Sequence, residues 1–181
     1  IRDSYNGDIG VLVEINRKDG FEYLEMYYRD RAHATILLNA PSDLVYFDED
    51  SIPGVIITEI GKNAFSNCKQ LKSVKLSKQV VQIDSYAFYG CESLKNITLN
   101  GGELVEIDAF QNNGCETITL PSTMRVIDDD SFTGKNLKTV NLNDGLQYIG
   151  EGVFFSMGKI KSVTVPASVT HIGVQAIGYY P

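Results

Sequence analysis

The sequence predicts a β-rich solenoid, a stack of short coils that share one core. Three observations carry that reading. A repeat of about 22 residues runs through most of the chain, apolar columns keep step with it, and a short alternating strand recurs at the same point of each copy. An Ile followed by Gly or Asp marks the repeat: Ile60-Gly61, Ile83-Asp84, Ile107-Asp108, Ile127-Asp128, Ile149-Gly150 and Ile172-Gly173. These anchors are separated by 23, 24, 20, 22 and 23 residues.

The other columns follow from the anchor. Phe65, Phe88, Phe110, Phe132 and Phe154, then Ile177, come a few residues later, with Ala64, Ala87, Ala109 and Ala176 before four of them. Cys68 and Cys91 lie three residues beyond the first two Phe, with Cys115 near that column in a shortened third copy. A Leu or Ile follows (Leu71, Leu94, Leu137, Ile160), and then an apolar pair at period two: Val74/Leu76, Ile97/Leu99, Ile118/Leu120, Val140/Leu142 and Val163/Val165. Period two is the signature of a strand with one buried face. Asn100-Gly101-Gly102, Pro121, Asn143-Asp144-Gly145 and Pro166 break the strands. A second apolar run such as Val80-Val81-Gln82-Ile83 returns to the anchor, and the Ala-Phe segment covers the remaining side as a turn or short helix. No coil can bury its own Phe, Leu and Ile, so the coils must stack.

The pattern Ile-Gly-x-x-Ala-Phe-x-x-Cys-x-x-Leu-x-x-Val-x-Leu stands nearly intact in residues 60–76 and 83–99, and its tail in residues 160–173. It resembles the BspA-like class of bacterial leucine-rich repeats over roughly residues 55–177. The resemblance implies a right-handed leucine-rich-repeat superhelix of about five and a half copies with 22–23-residue repeats. The third copy departs from it: Ala-Phe follows Ile107-Asp108 directly and the Leu column is missing, so an irregular coil, with room for a local bend, is expected there.

Residues 1–54 lack the repeat. Gly10–Ile15 and Phe21–Met26 around Asp19-Gly20 read as a hairpin, Ala34–Leu38 as a strand, and Leu44-Val45-Tyr46-Phe47 as a shorter one. An open solenoid end exposes core and sheet edge, so this segment is expected to be an N-terminal β-rich cap docked on a 55–181 solenoid, a separate small domain being the alternative. The absence of a Gly/Ser/Pro-rich linker near residue 54 favours docking. Residues 176–181 read as a partial sixth coil, either capping the stack or continuing it. The first residues are neither an initiator methionine nor a signal peptide, from which a processed or truncated fragment is expected.

Composition narrows the function. Of the net charge of −7, residues 1–54 carry −6, with 11 acids against 5 bases. No part is strongly basic, which argues against nucleic-acid binding. No apolar run approaches the roughly 20 residues that span a bilayer, so no membrane insertion of this segment is expected. His33 and His171 lie far apart without a Ser, Cys or paired carboxylate beside them, and read as surface or satisfied side chains. Cys68 and Cys91 are expected to be ladder neighbours, read as small buried apolar residues before a redox pair or metal clip. Asp48-Glu49-Asp50 and Asp128-Asp129-Asp130 lack calcium-loop spacing and read as solvated turns. Asn96-Ile97-Thr98 matches a glycosylation sequon that a bacterial origin would make irrelevant. No catalytic residue, metal site or cofactor is expected, and an enzyme would need a carboxylate or histidine constellation in a pocket between cap and first coil.

What remains is a surface. The outward positions of the repeated strand make three rows: Lys72, Lys95, Glu116, Lys138, Lys161; Ser73, Asn96, Thr117, Thr139, Ser162; and Lys75, Thr98, Thr119, Asn141, Thr164. In horseshoe solenoids this face is concave and is the usual ligand surface. The alternative is that these residues only keep an exposed sheet soluble. The rows contain no aromatic residue. The resemblance implies a non-catalytic protein-binding or adhesion module of a bacterial cell-surface or secreted protein, engaging host, microbial or extracellular-matrix proteins. A structural spacer in a longer protein is the alternative.

Overall fold

The computed structural model describes residues 11–28, 34–48, 50–106, 108–134, 136–155, 159–160 and 162–178. Among them no helix forms; the Ala-Phe segments are turns. β1 (Val11–Lys18) and β2 (Phe21–Tyr28) make an antiparallel hairpin. Its turn has Asp19 at φ 52° and Gly20 at φ 83°, the pair of left-handed residues that matches the twist of the flanking strands. β3 (Ala34–Asn39) lies antiparallel to β2 and then changes the sense of the sheet, pairing in parallel with β5 (Glu59–Ile60) through Ile36↔Glu59 and Leu37↔Ile60.

From there each coil contributes one two-residue strand to a continuous parallel ladder: β7 (Gln82–Ile83), β9 (Leu104–Val105), β11 (Val126–Ile127), β13 (Tyr148–Ile149) and β14 (His171–Ile172). This nine-stranded sheet forms one side of the stack. The other side is built from strands of two to four residues in two sets: β4 (Tyr46–Phe47), β6 (Ser73–Leu76) and β8 (Asn96–Leu99), then β10 (Thr117–Thr119) and β12 (Thr139–Asn141). No backbone hydrogen bond joins β8 to β10 among the described residues.

The core lies between the two sides and is organised by the phenylalanine column. Phe65, Phe88, Phe110 and Phe132 are almost wholly buried. Their rings stack nearly parallel at 4.8, 5.0 and 5.2 Å, and Phe154 follows Phe132 at 6.1 Å. Phe47 closes the first end edge-on against Phe65 at 4.9 Å, with Phe21 behind it at 5.8 Å. Offset-stacked aromatics add about 0.5–1.5 kcal/mol per pair beyond their burial. Ala64, Ala87 and Ala109 are buried beside the rings, with Ser131 and Val153 in the same column. The Ser131 hydroxyl is satisfied by the Glu106 carbonyl at 3.0 Å and by that of Asp128.

The third coil corrects the expectation. The ladder pairs Ile83 and Ile127 with Val105, not with Ile107. With Val105 as anchor the spacings become 23, 22, 22, 22 and 23. The backbone agrees: the third residue after each anchor takes a left-handed conformation, at Asn63, Tyr86, Asp108, Asp130, Gly152 and Gln175, with φ between 52° and 62°. Nor is the Leu column missing. Cys115, 1% exposed, fills it three residues before Ile118, as Leu71 and Leu94 precede Val74 and Ile97. The irregularity is a segment one residue shorter between ring and strand, shared with the fourth coil. In the last coil no strand forms over residues 162–165, where the repeat predicts one.

Candidate binding face

The alternation of the long strands settles which residues face outward. In β6, Val74 and Leu76 are buried while Lys75 is exposed and Ser73 half-buried; in β10, Ile118 is buried between exposed Thr117 and Thr119. Lys72, Lys95, Asn96, Thr98, Glu116, Lys138, Thr139 and Asn141 are likewise exposed. Parallel register aligns Ser73 with Asn96, Lys75 with Thr98, Thr117 with Thr139, and Thr119 with Asn141. The rows are therefore real over β6–β8 and over β10–β12, with a break between the two sets. Ser162 and Thr164 are exposed but stand outside any strand, and Lys161 lies outside the described residues.

Neighbouring coils are tied across the rows. Lys138 Nζ meets Glu116 at 2.7 Å, and the Asn141 amide donates to Thr119 Oγ1 at 2.9 Å. The Lys138 ammonium holds the Glu116 carboxyl below its ordinary range by hydrogen bonding and charge. Glu116 is thereby neutralised, and Lys72, Lys75 and Lys95 have no ion-pair partner among the described residues. The face is cationic on a chain whose net charge is −7.

One residue escapes the sequence rows. Tyr46 pairs with Ser73 in the β4–β6 ladder and so heads the small-polar row. It is 62% exposed. The three rows themselves hold no aromatic, and Tyr46 extends the middle one from outside the repeat. The run Leu44–Phe47 is apolar at every position and shows no alternation, so only the pairing of β4 with β6 assigns Tyr46 to the row.

Acidic residues gather on the nine-stranded side. The Gln82 amide donates to Asp84 Oδ1 at 2.8 Å and to Glu106 Oε1 at 3.0 Å, while Ser85 Oγ donates to Glu106 Oε2 at 2.9 Å. Burial, then the charge of Asp84 and a hydrogen bond to it, push the Glu59 carboxyl up from 4.5 to about 7. Burial and the charges of Asp108, Asp129 and Glu151 also raise Asp130. Since Glu59 titrates higher in the folded chain than in the unfolded one, its contribution to stability is fully present below about pH 4.5 and is lost as the pH rises through about 7. The group is partly solvated, so the effect is screened to about 1 kcal/mol. Glu59→Gln is expected to melt above the parent chain at pH 8 by a few degrees. The two are expected to converge near pH 4.5; a parent chain that melts higher at pH 8 would refute the assignment.

The other singled-out residues have structural occupations. His33 and Glu49 lie outside the described residues; His171 is exposed and stacks on Tyr148 at 4.5 Å. Cys68, Cys91 and Cys115 are free and buried. The Cys91 thiol, pushed up to about 12 by burial and by Cys68, donates to the Phe65 carbonyl at 3.0 Å. Asp129 Oδ1 accepts the Glu151 amide at 2.7 Å, and Asp48 Oδ1 accepts the Asp50 amide and the Ser51 hydroxyl, so both acidic runs serve turns. Among the described residues no group of three or more His, Cys, Asp or Glu could hold a metal ion. No helix long and apolar enough to cross a membrane occurs among them.

Comparison with solved structures gives the same fold. A leucine-rich cell-surface protein from Faecalibacterium prausnitzii superposes with a TM-score of 0.62 at 22% identity, covering 91% of this chain and 52% of the other. The T. pallidum leucine-rich-repeat protein gives 0.72 at 24% identity, covering 88% and 82%. The pneumococcal vaccine antigen PcpA gives 0.74 at 18% identity, covering 88% and 46%. The chain thus spans about half the length of the first and third. At these identities the likeness speaks for the fold alone. No curated protein sequence matches significantly. The family model for the BspA-type leucine-rich-repeat region matches six copies over residues 58–180, and the chain belongs to that family.

Proposed function

We propose that this chain is a non-catalytic protein-binding module of a bacterial cell-surface or secreted protein, with adhesion as its biological use, and that its partner docks on the face of β4, β6, β8, β10 and β12. Leucine-rich-repeat solenoids are in general protein-interaction or structural modules. One observation carries the choice of face: exposed lysines without ion partners among the described residues stand beside an exposed Tyr46 on the side opposite the nine-stranded sheet. Charge on a rim sets encounter rate and orientation, and tyrosine is enriched where interfaces hold most of their energy. Residues 1–54 are proposed as the N-terminal cap of this module and 55–181 as its solenoid. An extracellular or cell-surface location follows the F. prausnitzii relative, described as a cell-surface protein.

Capture experiments with purified extracellular-matrix and host proteins, followed by charge reversal, test this. Lys72→Glu, Lys95→Glu and Lys138→Glu combined are expected to weaken the captured interaction at least tenfold and to remove most of its salt dependence. Tyr46→Ala should weaken it separately while leaving the melting temperature within a degree or two. An affinity unchanged by all four substitutions places the ligand elsewhere. A spacer role is the second reading, favoured by the coverage of only 52% and 46% of two longer relatives. A chain that captures nothing, but whose removal from the full-length protein abolishes that protein's surface reach, would support the spacer.

A further inference from the structure

We infer that the cleft at the N-terminal end of the strand face is an anchor pocket for one large apolar side chain that sits beside a carboxylate on a partner protein's segment. The inference rests on the binding function proposed above and adds where and how the partner's segment is gripped. The cleft has a volume of about 200 Å3. Phe47, Ile52, Val55, Ile57, Leu76 and Val80 line it, with Ile56 left 60% exposed at its side. Drug-sized ligands occupy roughly 300–1,000 Å3, whereas an apolar cavity of roughly 150 Å3 takes a benzene ring. The space therefore suits a single Phe or Leu side chain.

The charge at the cleft selects the neighbour of that side chain. Among the described residues two charged ones line it, Asp48 and Lys75. The Asp48 carboxylate is already engaged by the Asp50 amide and the Ser51 hydroxyl of its own turn. Lys75 has no ion partner among the described residues, and it belongs to the outward row that continues to Thr98. A carboxylate one residue from the buried side chain would meet the Lys75 ammonium, and the rest of an acidic segment would run on past Lys72 and Lys95. The cleft is thus continuous with the cationic face, and the partner it fits is an acidic segment bearing an aromatic or branched apolar residue.

N-Acetyl-phenylalanine, which joins a benzyl group to a carboxylate, is the probe, titrated into the full 181-residue chain and followed by amide NMR. Shifts are expected to concentrate at residues 52–57 and 75–80. N-Acetyl-phenylalanine amide should bind there about threefold more weakly, and N-acetyl-alanine should produce no localised shifts. Lys75→Gln should reduce the acid to the level of the amide and leave the amide unaffected. Val55→Phe, which fills the cleft from a half-buried position, should block both while the chain melts normally. No localised shifts, or an acid and amide that bind equally in both the parent and Lys75→Gln, overturns the inference. The titration needs no partner protein. A captured partner with a blank titration refutes the pocket alone, and a localised titration with no partner captured refutes the binding function alone.

Discussion

Phe88→Ala is expected to be the most damaging single truncation in the stack, at about 3–5 kcal/mol. Phe88 is fully buried and its ring is sandwiched between Phe65 at 4.8 Å and Phe110 at 5.0 Å. Removing it opens a cavity into which the neighbouring coils can collapse only in part, because the nine-stranded ladder holds their spacing on one side. It also deletes two ring contacts at once. Phe154 stacks on Phe132 alone among the described phenylalanines, and at 6.1 Å, so Phe154→Ala should cost about 1 kcal/mol less. Against a total stability of roughly 5–15 kcal/mol, the Phe88 loss should lower the melting temperature by on the order of 10 °C. Chemical denaturation of the two variants side by side checks the order. An equal loss at both positions would mean that the rings contribute by burial only.

Gly114→Ala should cost about 3 kcal/mol for a different reason. Gly114 lies in the shortened third coil, four residues after the ring of Phe110, as Lys69 and Glu92 follow Phe65 and Phe88. A Cβ there would lie well inside contact distance of the Glu92 carbonyl oxygen, 3.2 Å from the carbonyl carbon and 3.3 Å from the Leu94 oxygen. These are backbone atoms and cannot swing away as a side-chain tip would. Gly134→Ala serves as the control, since a Cβ there meets only the Asn113 oxygen at 3.9 Å. Thermal melts that rank the two substitutions equally would show that the backbone beside Gly114 yields.

Much of the architecture is written in residue spacing because the stack repeats one physical problem. Each copy must supply a ring, a branched residue and an alternating strand at fixed separations. The Ile-Gly/Asp dipeptide misplaces the third copy for a specific reason. Ile107-Asp108 imitates the dipeptide Ile83-Asp84, while the true anchor, Val105-Glu106, carries neither Ile nor Gly or Asp. Counting back five residues from the ring finds it: 65 to 60, 88 to 83 and 110 to 105. Ring spacing is the stricter ruler, since stacked aromatics tolerate less displacement than a buried aliphatic residue. The outward rows were legible from alternation alone. Tyr46 was not, because β4 reaches the face from a segment without the repeat and only pairing with β6 reveals its row. The cleft beside Lys75 was equally hidden, being formed by a loop and a strand edge distant in sequence.

The missing hydrogen bonds between β8 and β10 give the molecule an asymmetry with mechanical meaning. On the nine-stranded side the ladder passes through the third coil without a gap, from β7 to β9 to β11. That side acts as the spine of a book, and the cut between β8 and β10 acts as the gutter where its pages part. Flexing the stack at this seam stretches no sheet bond on the cut side and bends one continuous hinge on the other. Tyr46, Lys72 and Lys95 stand on one leaf, and Glu116, Lys138 and Asn141 on the other. A ligand broad enough to touch both leaves would feel the seam as compliance, and would fix the opening angle when it bound.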